Sequence, residues 1–315
     1  MRKQIINAME QILDKYVNPF TDFGFKKLFG TEVNKDLLID FLNELLREEQ
    51  GGVVDIQYLN PEQLGMAENE RKAIFDLYCE NEKGEKFIVE LQKAKQNFFK
   101  ERSVYYSAFP IADQAQKGDW DFNLNAVYTI GILDFVFDDE ENDPKEYRSD
   151  VKLMNVKTKR VFYDKLTYIY LEMPKFTKTI DELETHFDKW LYVIRNLNRL
   201  DSVPERLKDK IFLRLFKAAE TAKFNKKQQR DYISSLKIYR DLKNSVDTAR
   251  EEGREEGREE GREEGEAIGL EKGRAEGRAE GKRETARILL KLGTSIEVIQ
   301  KETGLSKEEI EKIKF

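Results

Sequence analysis

The chain of 315 residues contains a single cysteine, Cys79, and a single histidine, His186. One cysteine excludes an internal disulfide, and together the two residues cannot supply the ligands of a zinc finger or of a two-histidine zinc protease. No stretch approaches the 18 or so apolar residues of a membrane span, and the N-terminal segment lacks the apolar run of a signal peptide. We therefore expect a cytoplasmic protein that binds neither zinc nor membranes.

Over most of the chain there is also little excess of acidic over basic residues. The formal net charge is −6, and the segment from Arg250 to Glu284, with 13 acidic and 9 basic residues, contributes −4 of it. The remainder is nearly neutral, which excludes a globally basic nucleic-acid-binding domain but leaves room for a local basic face. If the protein binds nucleic acid, it must therefore do so through a local site and not through its overall charge.

Helical and strand-like patterns alternate through the first half of the chain. Apolar residues at helical spacing predict a helix over residues 34–46, and three strands are predicted next, over residues 53–58, 72–80 and 86–93. The turn sequence NEKGE joins the second strand to the third and predicts a hairpin. A helix interrupted by Pro110 and an apolar strand within residues 126–137 complete the order αβββαβ.

Shifts in composition predict four segments. They are a core, a helical cap or extension, a repeat of glycine, glutamate and arginine with a period of four, and a small helix-turn-helix-like module, over residues 1–175, 176–247, 248–284 and 285–315. The repeat aligns glycines on one stripe of a helix, which favours either a helix that orders by self-association or a solvated tether. The last module has acids where base-reading residues would stand, so a structural or dimerising role competes with DNA reading.

Two carboxylates are predicted to meet on the hairpin. Side chains alternate along a strand, so Glu90 and Gln92 share one face, and the hairpin brings Asp76 opposite them. Both acids interrupt apolar runs, AIFDLYC and FIVELQ, where an uncompensated charge is costly. The spacing alone allows two interpretations: a solvated or ion-paired acidic face, or a Mg²⁺ site whose bound water attacks phosphorus.

Several motifs follow one another in an order typical of a known family: TDFGFKKLFG, NKDLLIDFLNELL, F-x-D, I-V-E-L-Q, RSVYYSAFPIADQAQKGDW and YTIGILDF. They resemble the Rpn family of recombination-promoting nucleases and putative transposases, which is similar to the wider PD-(D/E)XK nuclease superfamily. The resemblance covers residues 17–137 by motif and extends more loosely to about residue 245 and the repeat. It implies an α/β fold with a restriction-endonuclease-like mixed sheet flanked by helices, and metal-dependent hydrolysis of DNA.

The resemblance also implies roles for individual residues. Asp76 matches the metal-binding aspartate and Glu90 the carboxylate of the E-x-Q motif, so the two would bind Mg²⁺ or Mn²⁺. Gln92 stands where the wider superfamily has lysine; glutamine can orient a water or offer a carbonyl to a metal, but it carries no charge. Lys95 is the preferred substitute for that charge, because strand alternation directs Lys93 to the opposite face.

Further candidates surround these residues. Asp22 and Glu44 would add a carboxylate to the site, or else serve as a helix N-cap and as part of a solvated helix face. Lys26, Lys27 and Arg102 are predicted to contact DNA phosphates.

Arg102 also belongs to a motif on the second helix. With Tyr106 and Gln114 it matches the R-x-x-Y-Y and Q motifs of the family, and the three residues either support the site or tie the helix to the sheet. Asp134 is predicted to be structural.

The sequence thus predicts a metal-dependent DNA endonuclease of the recombination-promoting type, which forms a homo-oligomer through its C-terminal tail. The alternative is a catalytically inactive DNA-binding or oligomerisation protein on a nuclease scaffold. Gln92 in place of lysine and the acidic balance favour that alternative.

Overall fold

The computed structural model describes residues 14–47, 52–63, 73–115, 121–138 and 143–313. The chain divides into two compact units, Met1–Ser245 and Val246–Phe315. The start of the second predicted strand at Lys72 and the end of the second predicted helix at Lys117 lie outside the described residues. The division into four segments stays a prediction.

Helices and strands alternate in the first unit. The helices are α1 (Asp22–Phe29), α2 (Lys35–Leu45), α3 (Phe99–Ala112), α4 (His186–Asn196), α5 (Lys210–Ala219) and the first part of α6 (Lys226–Lys291). The strands are β1 (Ile56–Tyr58), β2 (Glu62–Gln63), β3 (Ala73–Ile74), β4 (Leu77–Asn81), β5 (Lys86–Gln92), β6 (Val127–Leu133), β7 (Arg148–Asn155) and β8 (Arg160–Glu172).

Six of the strands form one mixed sheet in the order β1-β4-β5-β6-β8-β7. The predicted hairpin is β4 with β5, which pair antiparallel with Leu77 opposite Val89. β5 and β6 are parallel, as are β6 and β8, whereas β7 returns antiparallel to β8. Every residue of β6 is buried, as expected for a central strand covered on both faces. The mixed sheet with flanking helices confirms the predicted fold class.

The two faces of the sheet are covered by different helices. The main hydrophobic core joins one face to α1, α2, α4, α5 and the start of α6, and Trp190 packs within it against Phe29, Phe41 and Phe212. The helices after the sheet therefore share a core with it. α3 lies on the opposite face, where Tyr106 and Phe109 pack over Ile88. Glu90 and Gln92, which alternate with the core-facing residues of β5, lie on this α3 side.

The second predicted strand differs from its prediction. Residues 73–80 do not form one continuous strand: β3 pairs with β2 in a separate two-stranded sheet, and Asp76 lies in a bend before β4 begins. Pro110 is also less disruptive than expected, because it lies in the last turn of α3, which continues to Ala112. A proline near the end of a helix removes few backbone hydrogen bonds.

The second unit is helical over its described residues. It contains the rest of α6, followed by α7 (Ile296–Thr303) and α8 (Lys307–Glu311). Ser306 caps α8 with Glu309 as its capping-box partner, as the sequence predicts. The glycine repeat is helical, and a Cβ placed on any of its glycines from Gly253 to Gly281 would meet no atom within 4 Å. No helix in the described part of the chain is long and apolar enough to cross a membrane.

Candidate active site

Asp76 and Glu90 lie side by side where the bend after β3 meets β5. Asp76 immediately precedes Leu77, which pairs with Val89, the residue before Glu90. The backbone N–H of Asp76 donates to Glu90 Oε1 at 3.2 Å, and the backbone N–H of Leu91 donates to Asp76 Oδ2 at 2.8 Å. Each carboxylate is therefore held by the backbone of the segment that carries the other. These crossed hydrogen bonds fix both acidic groups at one place.

Burial makes the charged form of both acids unfavourable. It raises the pKa of Glu90 to about 8, with the neighbouring charge of Asp76 as the second cause. Burial also raises the pKa of Asp76, against the hydrogen bond from Leu91 and the charge of Lys26, which lower it. None of the described lysines and arginines forms an ion pair with either carboxylate. The charges of Lys26, Lys93 and Arg102 act on the pair from a distance, and no described cationic side chain compensates it by direct contact.

Gln92 and Arg102 connect the end of β5 to α3. Arg102 Nη2 donates to Gln92 Oε1 at 2.5 Å, and Arg102 Nη1 donates to Gln96. Gln92 Nε2 donates in turn to the backbone carbonyl of Ala94 at 2.9 Å. The guanidinium is near enough to Glu90 to lower the pKa of that carboxyl. The structure thus brings three predicted residues, Glu90, Gln92 and Arg102, into one group.

Tyr106 lies one turn further along α3. Burial raises the pKa of its hydroxyl, followed by the charge of Glu90, while a hydrogen bond with the backbone of Ile74 lowers it. Arg102 stacks over the Tyr106 ring, 5.8 Å from its centroid. Tyr106 therefore borders the acidic pair.

Gln114 has a different position from these residues. Its Nε2 donates to the carbonyl of Pro110 at 3.0 Å, and its Oε1 accepts from the backbone N–H of Asn125 at 2.7 Å. It ties the end of α3 to the segment that enters β6.

Lys26 and Asp22 lie on the first helix, where their charges reach the site. Lys26 pairs with Asp22 at 2.8 Å, and the charge of Lys26 lowers the pKa of both Asp76 and Glu90. The charge of Asp22 contributes to raising the pKa of Asp76. The N-cap of α1 is Thr21, whose hydroxyl accepts from Gly24, so the interpretation of Asp22 as an N-cap is wrong.

Other candidates lie elsewhere in the fold. Lys95 is exposed and forms an ion pair with Asp138, and the ammonium of Lys27 lies over the ring of Phe224 at 5.7 Å. Glu44 pairs with Arg47 at 2.9 Å. Only 11% of its side chain is exposed, so it does not lie on a solvated helix face.

Asp134 follows β6 and has structural contacts. Its backbone N–H donates to the carbonyl of Gln92, and its carboxylate accepts from the hydroxyl of Tyr239 at 2.9 Å. These bonds tie the end of β6 both to β5 and to α6.

Sequence reasoning rejected Lys93 and did not name Gln96. The charge of Lys93 lowers the pKa of Asp76, although strand alternation directs this lysine to the opposite face. β5 ends at Gln92, so the alternation no longer applies one residue later. Gln96 lies in the segment between β5 and α3, and no motif marks it.

The donor set suits a hard divalent cation with few protein ligands. The described residues contain no group of three or more His, Cys, Asp and Glu side chains placed to hold a metal ion. Mg²⁺ does not need such a cage, because it keeps several waters and commonly binds one or two carboxylates together with substrate phosphates. Asp76 and Glu90 therefore fit a Mg²⁺ or Mn²⁺ ion that completes its shell with water and DNA.

Comparison with protein-family models identifies a match that covers most of the chain. The family model described as PD-(D/E)XK nuclease family transposase matches residues 19–249, a range that contains the whole six-stranded sheet and the acidic pair. No curated protein and no solved structure matches the chain.

Proposed function

We propose that this chain, which belongs to the PD-(D/E)XK nuclease family transposases, is a metal-dependent endonuclease that hydrolyses phosphodiester bonds in DNA. The observation that carries the proposal is the pair of carboxylates, Asp76 and Glu90, which crossed backbone hydrogen bonds hold together and which form no ion pair with any lysine or arginine that the structure describes. A solvated acidic face would leave both groups in water, whereas here burial raises the pKa of each. A divalent cation bound between the two carboxylates would stabilise their charged forms by direct contact, which none of the described lysines and arginines does.

Asp76 and Glu90 are the proposed metal ligands. Bound there, Mg²⁺ or Mn²⁺ would lower the pKa of a water molecule and polarise a phosphoryl oxygen. The backbone N–H groups of Asp76 and Leu91 orient the carboxylates through hydrogen bonds and carry no net charge. A divalent cation bound there would favour the ionised form of both carboxylates, whose pKa values burial raises.

Gln92 and Arg102 are proposed to position water and phosphate. Gln92 uses one lone pair for Arg102 and one N–H for Ala94, which leaves it a second lone pair and a second N–H for a water. Arg102 uses two donors for Gln92 and Gln96 and retains others that suit a phosphate oxygen.

Basic residues near the acids are proposed to bind the DNA backbone. The charges of Lys26 and Lys93 lower the pKa of Asp76, which makes both lysines candidates to bind a phosphate placed beside the acidic pair. Such contacts give affinity without sequence choice. The roles predicted for Lys27 and Lys95 stay predictions.

Plasmid nicking by the full chain tests this function. We expect nicking with Mg²⁺ or Mn²⁺ and none with EDTA, and we expect Asp76→Asn to lower the rate about 100-fold or more, as losses of transition-state stabilisation do. Asp113→Asn is a matched control, because it makes the same change at an exposed position at the end of α3. Nicking by Asp76→Asn at the wild-type rate would refute the assignment.

A catalytically inactive scaffold is the second candidate. The observation that favours it is Gln92, whose amide already bonds to Arg102 and Ala94 and which supplies no positive charge. This alternative predicts DNA binding without nicking under any of the three metal conditions.

The C-terminal tail is proposed to assemble copies of the chain. Its glycines lie on a helix with open space above each of them, which would allow a second helix to approach closely. A dimer would present two sites for the two DNA strands. A cytoplasmic location stays a prediction.

A further inference from the structure

An aromatic cavity lies between the segment that follows β5 and the segment that follows β6. Its volume is about 310 Å³, and its walls include Phe98, Phe99, Phe135 and Phe137, with Lys95 and Lys100 among its lining residues. Phe135 and Phe137 meet edge to face at 5.7 Å, and the Lys100 ammonium lies 4.9 Å from the centre of the Phe137 ring. The volume is at the lower end of the range of about 300–1,000 Å³ that small-molecule sites occupy.

This cavity adjoins the candidate active site. Gln96 is one of its lining residues and accepts a hydrogen bond from Arg102. Arg102 in turn donates to Gln92, two residues after Glu90 on β5. Hydrogen-bonded side chains therefore connect the cavity to Gln92, which is two residues from Glu90 on the same face of β5.

Phe98 occupies a position that its own chemistry disfavours. Its backbone has φ 63° and ψ 29°, in the left-handed region that a bulky residue rarely adopts. It is the N-cap residue of α3 and makes no side-chain cap hydrogen bond, where Ser, Thr, Asp or Asn would satisfy a backbone donor. Its ring is 75% exposed. Three local costs at one residue point to a function that the fold itself does not require.

We infer that this cavity and Phe98 bind an unpaired nucleobase of the DNA substrate, next to the phosphate that is cleaved. The inference rests on the proposed function and specifies its substrate class: DNA with a single-stranded, gapped or distorted segment at the cleavage site.

The chemistry of the cavity matches that ligand. A flat base has a π-face that stacks on an aromatic ring whatever its sequence, and phenylalanine supplies such a ring without reading base edges. Lys95 and Lys100 line the cavity together with Glu101 and Asp138, and Lys95 pairs with Asp138, so charges of both signs lie beside the aromatic walls and the rings carry the recognition of the base. A base that is paired in a regular duplex is stacked between its neighbours and has no exposed face, so Phe98 would not stack on it.

Phe122 provides a matched control for Phe98. It also has a left-handed backbone, with φ 57°, and its side chain is 76% exposed. It precedes β6, whereas Phe98 follows β5, and β5 and β6 are parallel, so the two rings lie toward opposite ends of the sheet. Glycine accepts a left-handed backbone at either position, so Phe98→Gly and Phe122→Gly remove a ring without adding backbone strain.

The test uses oligonucleotides with the fluorescent base 2-aminopurine in EDTA, so that binding is measured without cleavage. One oligonucleotide has the base unpaired in a gap and the other has it paired in a duplex. We expect the wild-type chain to quench the unpaired base, and we expect Phe98→Gly to abolish the quenching and weaken binding of the gapped DNA about tenfold. Phe98→Trp should retain both effects, and Phe122→Gly should behave as the wild type.

The outcomes separate this inference from the proposed function. If Phe98→Gly quenches and binds as the wild type does, or if Phe122→Gly loses as much, the inference is wrong, even where plasmid nicking shows that the nuclease function is right. If neither oligonucleotide binds, the inference is wrong, and plasmid nicking with Mg²⁺ decides separately whether the proposed function is right. Equal loss on gapped and paired DNA would also overturn the inference, because it would indicate a general contact that does not involve an unpaired base.

Discussion

Replacing Glu90 by glutamine tests whether the acidic pair is as poorly compensated as its surroundings indicate. Glutamine has nearly the same shape, and its carbonyl oxygen can accept the hydrogen bond that the Asp76 N–H gives to Glu90 Oε1. The substitution therefore removes the ionisable group and keeps the contact. Glu90→Gln should leave the fold unchanged and alter mainly the dependence of stability on pH.

The sign and the size of the effect follow from the pKa of Glu90. An unfolded glutamate releases its proton near pH 4.5, whereas burial raises the folded pKa to about 8. Between these values the folded state holds one more proton, so raising the pH favours unfolding. The slope approaches about 1.4 kcal/mol per pH unit. The wild-type chain therefore loses on the order of 3 kcal/mol from this group between pH 5 and pH 8.

Urea unfolding at pH 5, 6, 7 and 8 in EDTA measures this loss, with the fluorescence of buried Trp190 as the signal from the core. We expect wild type and Glu90→Gln to have similar free energies of unfolding at pH 5 and to diverge above it, with the variant the more stable at pH 8. Adding Mg²⁺ should flatten the wild-type curve, because a ligand that binds only the folded state stabilises it.

Glu255→Gln is the matched control, because it makes the same change at an exposed position on α6. Its curve should follow the wild type at every pH. If the free energy of unfolding of Glu90→Gln instead runs parallel to that of the wild type over the whole pH range, another group already compensates the carboxylates. In that case they do not require a bound cation.

Two further predictions concern Arg102 and the glycine repeat. Arg102→Ala removes the donors that orient Gln92 and Gln96. We therefore expect the rate of plasmid nicking to fall about tenfold or more, while the melting temperature changes little. An unchanged nicking rate would show that the guanidinium has only a structural role. Gly257→Ala with Gly261→Ala places methyl groups where a second helix would approach, so light scattering should show a smaller assembly. An unchanged mass with higher helix stability, about 1 kcal/mol per substitution, would mean that no helix packs there.

The hairpin and the order of the elements are predictable because their signals are local. Alternating apolar residues and the turn before Lys86 define β4 and β5 with the pairing that the structure has. The bend at Asp76 is not predictable in this way. It arises because β3 pairs with β2, a strand of two residues, and so short a segment has no recognisable alternation.

The surroundings of the acidic pair depend on contacts between distant segments. Helical periodicity predicts the apolar stripe of α2. It does not predict that the side chain of Glu44 becomes mostly covered or that its charge acts on His186 of α4. The pKa of His186 is raised first by its hydrogen bond to Asp40 and in smaller part by the charge of Glu44. Likewise, the influence of Lys93 on Asp76 depends on where β5 ends, which sequence patterns locate only to within a few residues.

The two places where this fold departs most from local preference are connected to each other. At one, two half-buried carboxylates accept backbone hydrogen bonds and form no ion pair with a described lysine or arginine; at the other, Phe98 has a left-handed backbone and an exposed ring. Gln92, Arg102 and Gln96 form the hydrogen-bonded group between them. Selection for stability alone would favour glutamine in place of Glu90 and glycine in place of Phe98, since either single substitution removes one of these unfavourable features. A nuclease site that binds an unpaired base and cleaves the adjoining phosphate requires the acidic pair and Phe98 to be this close.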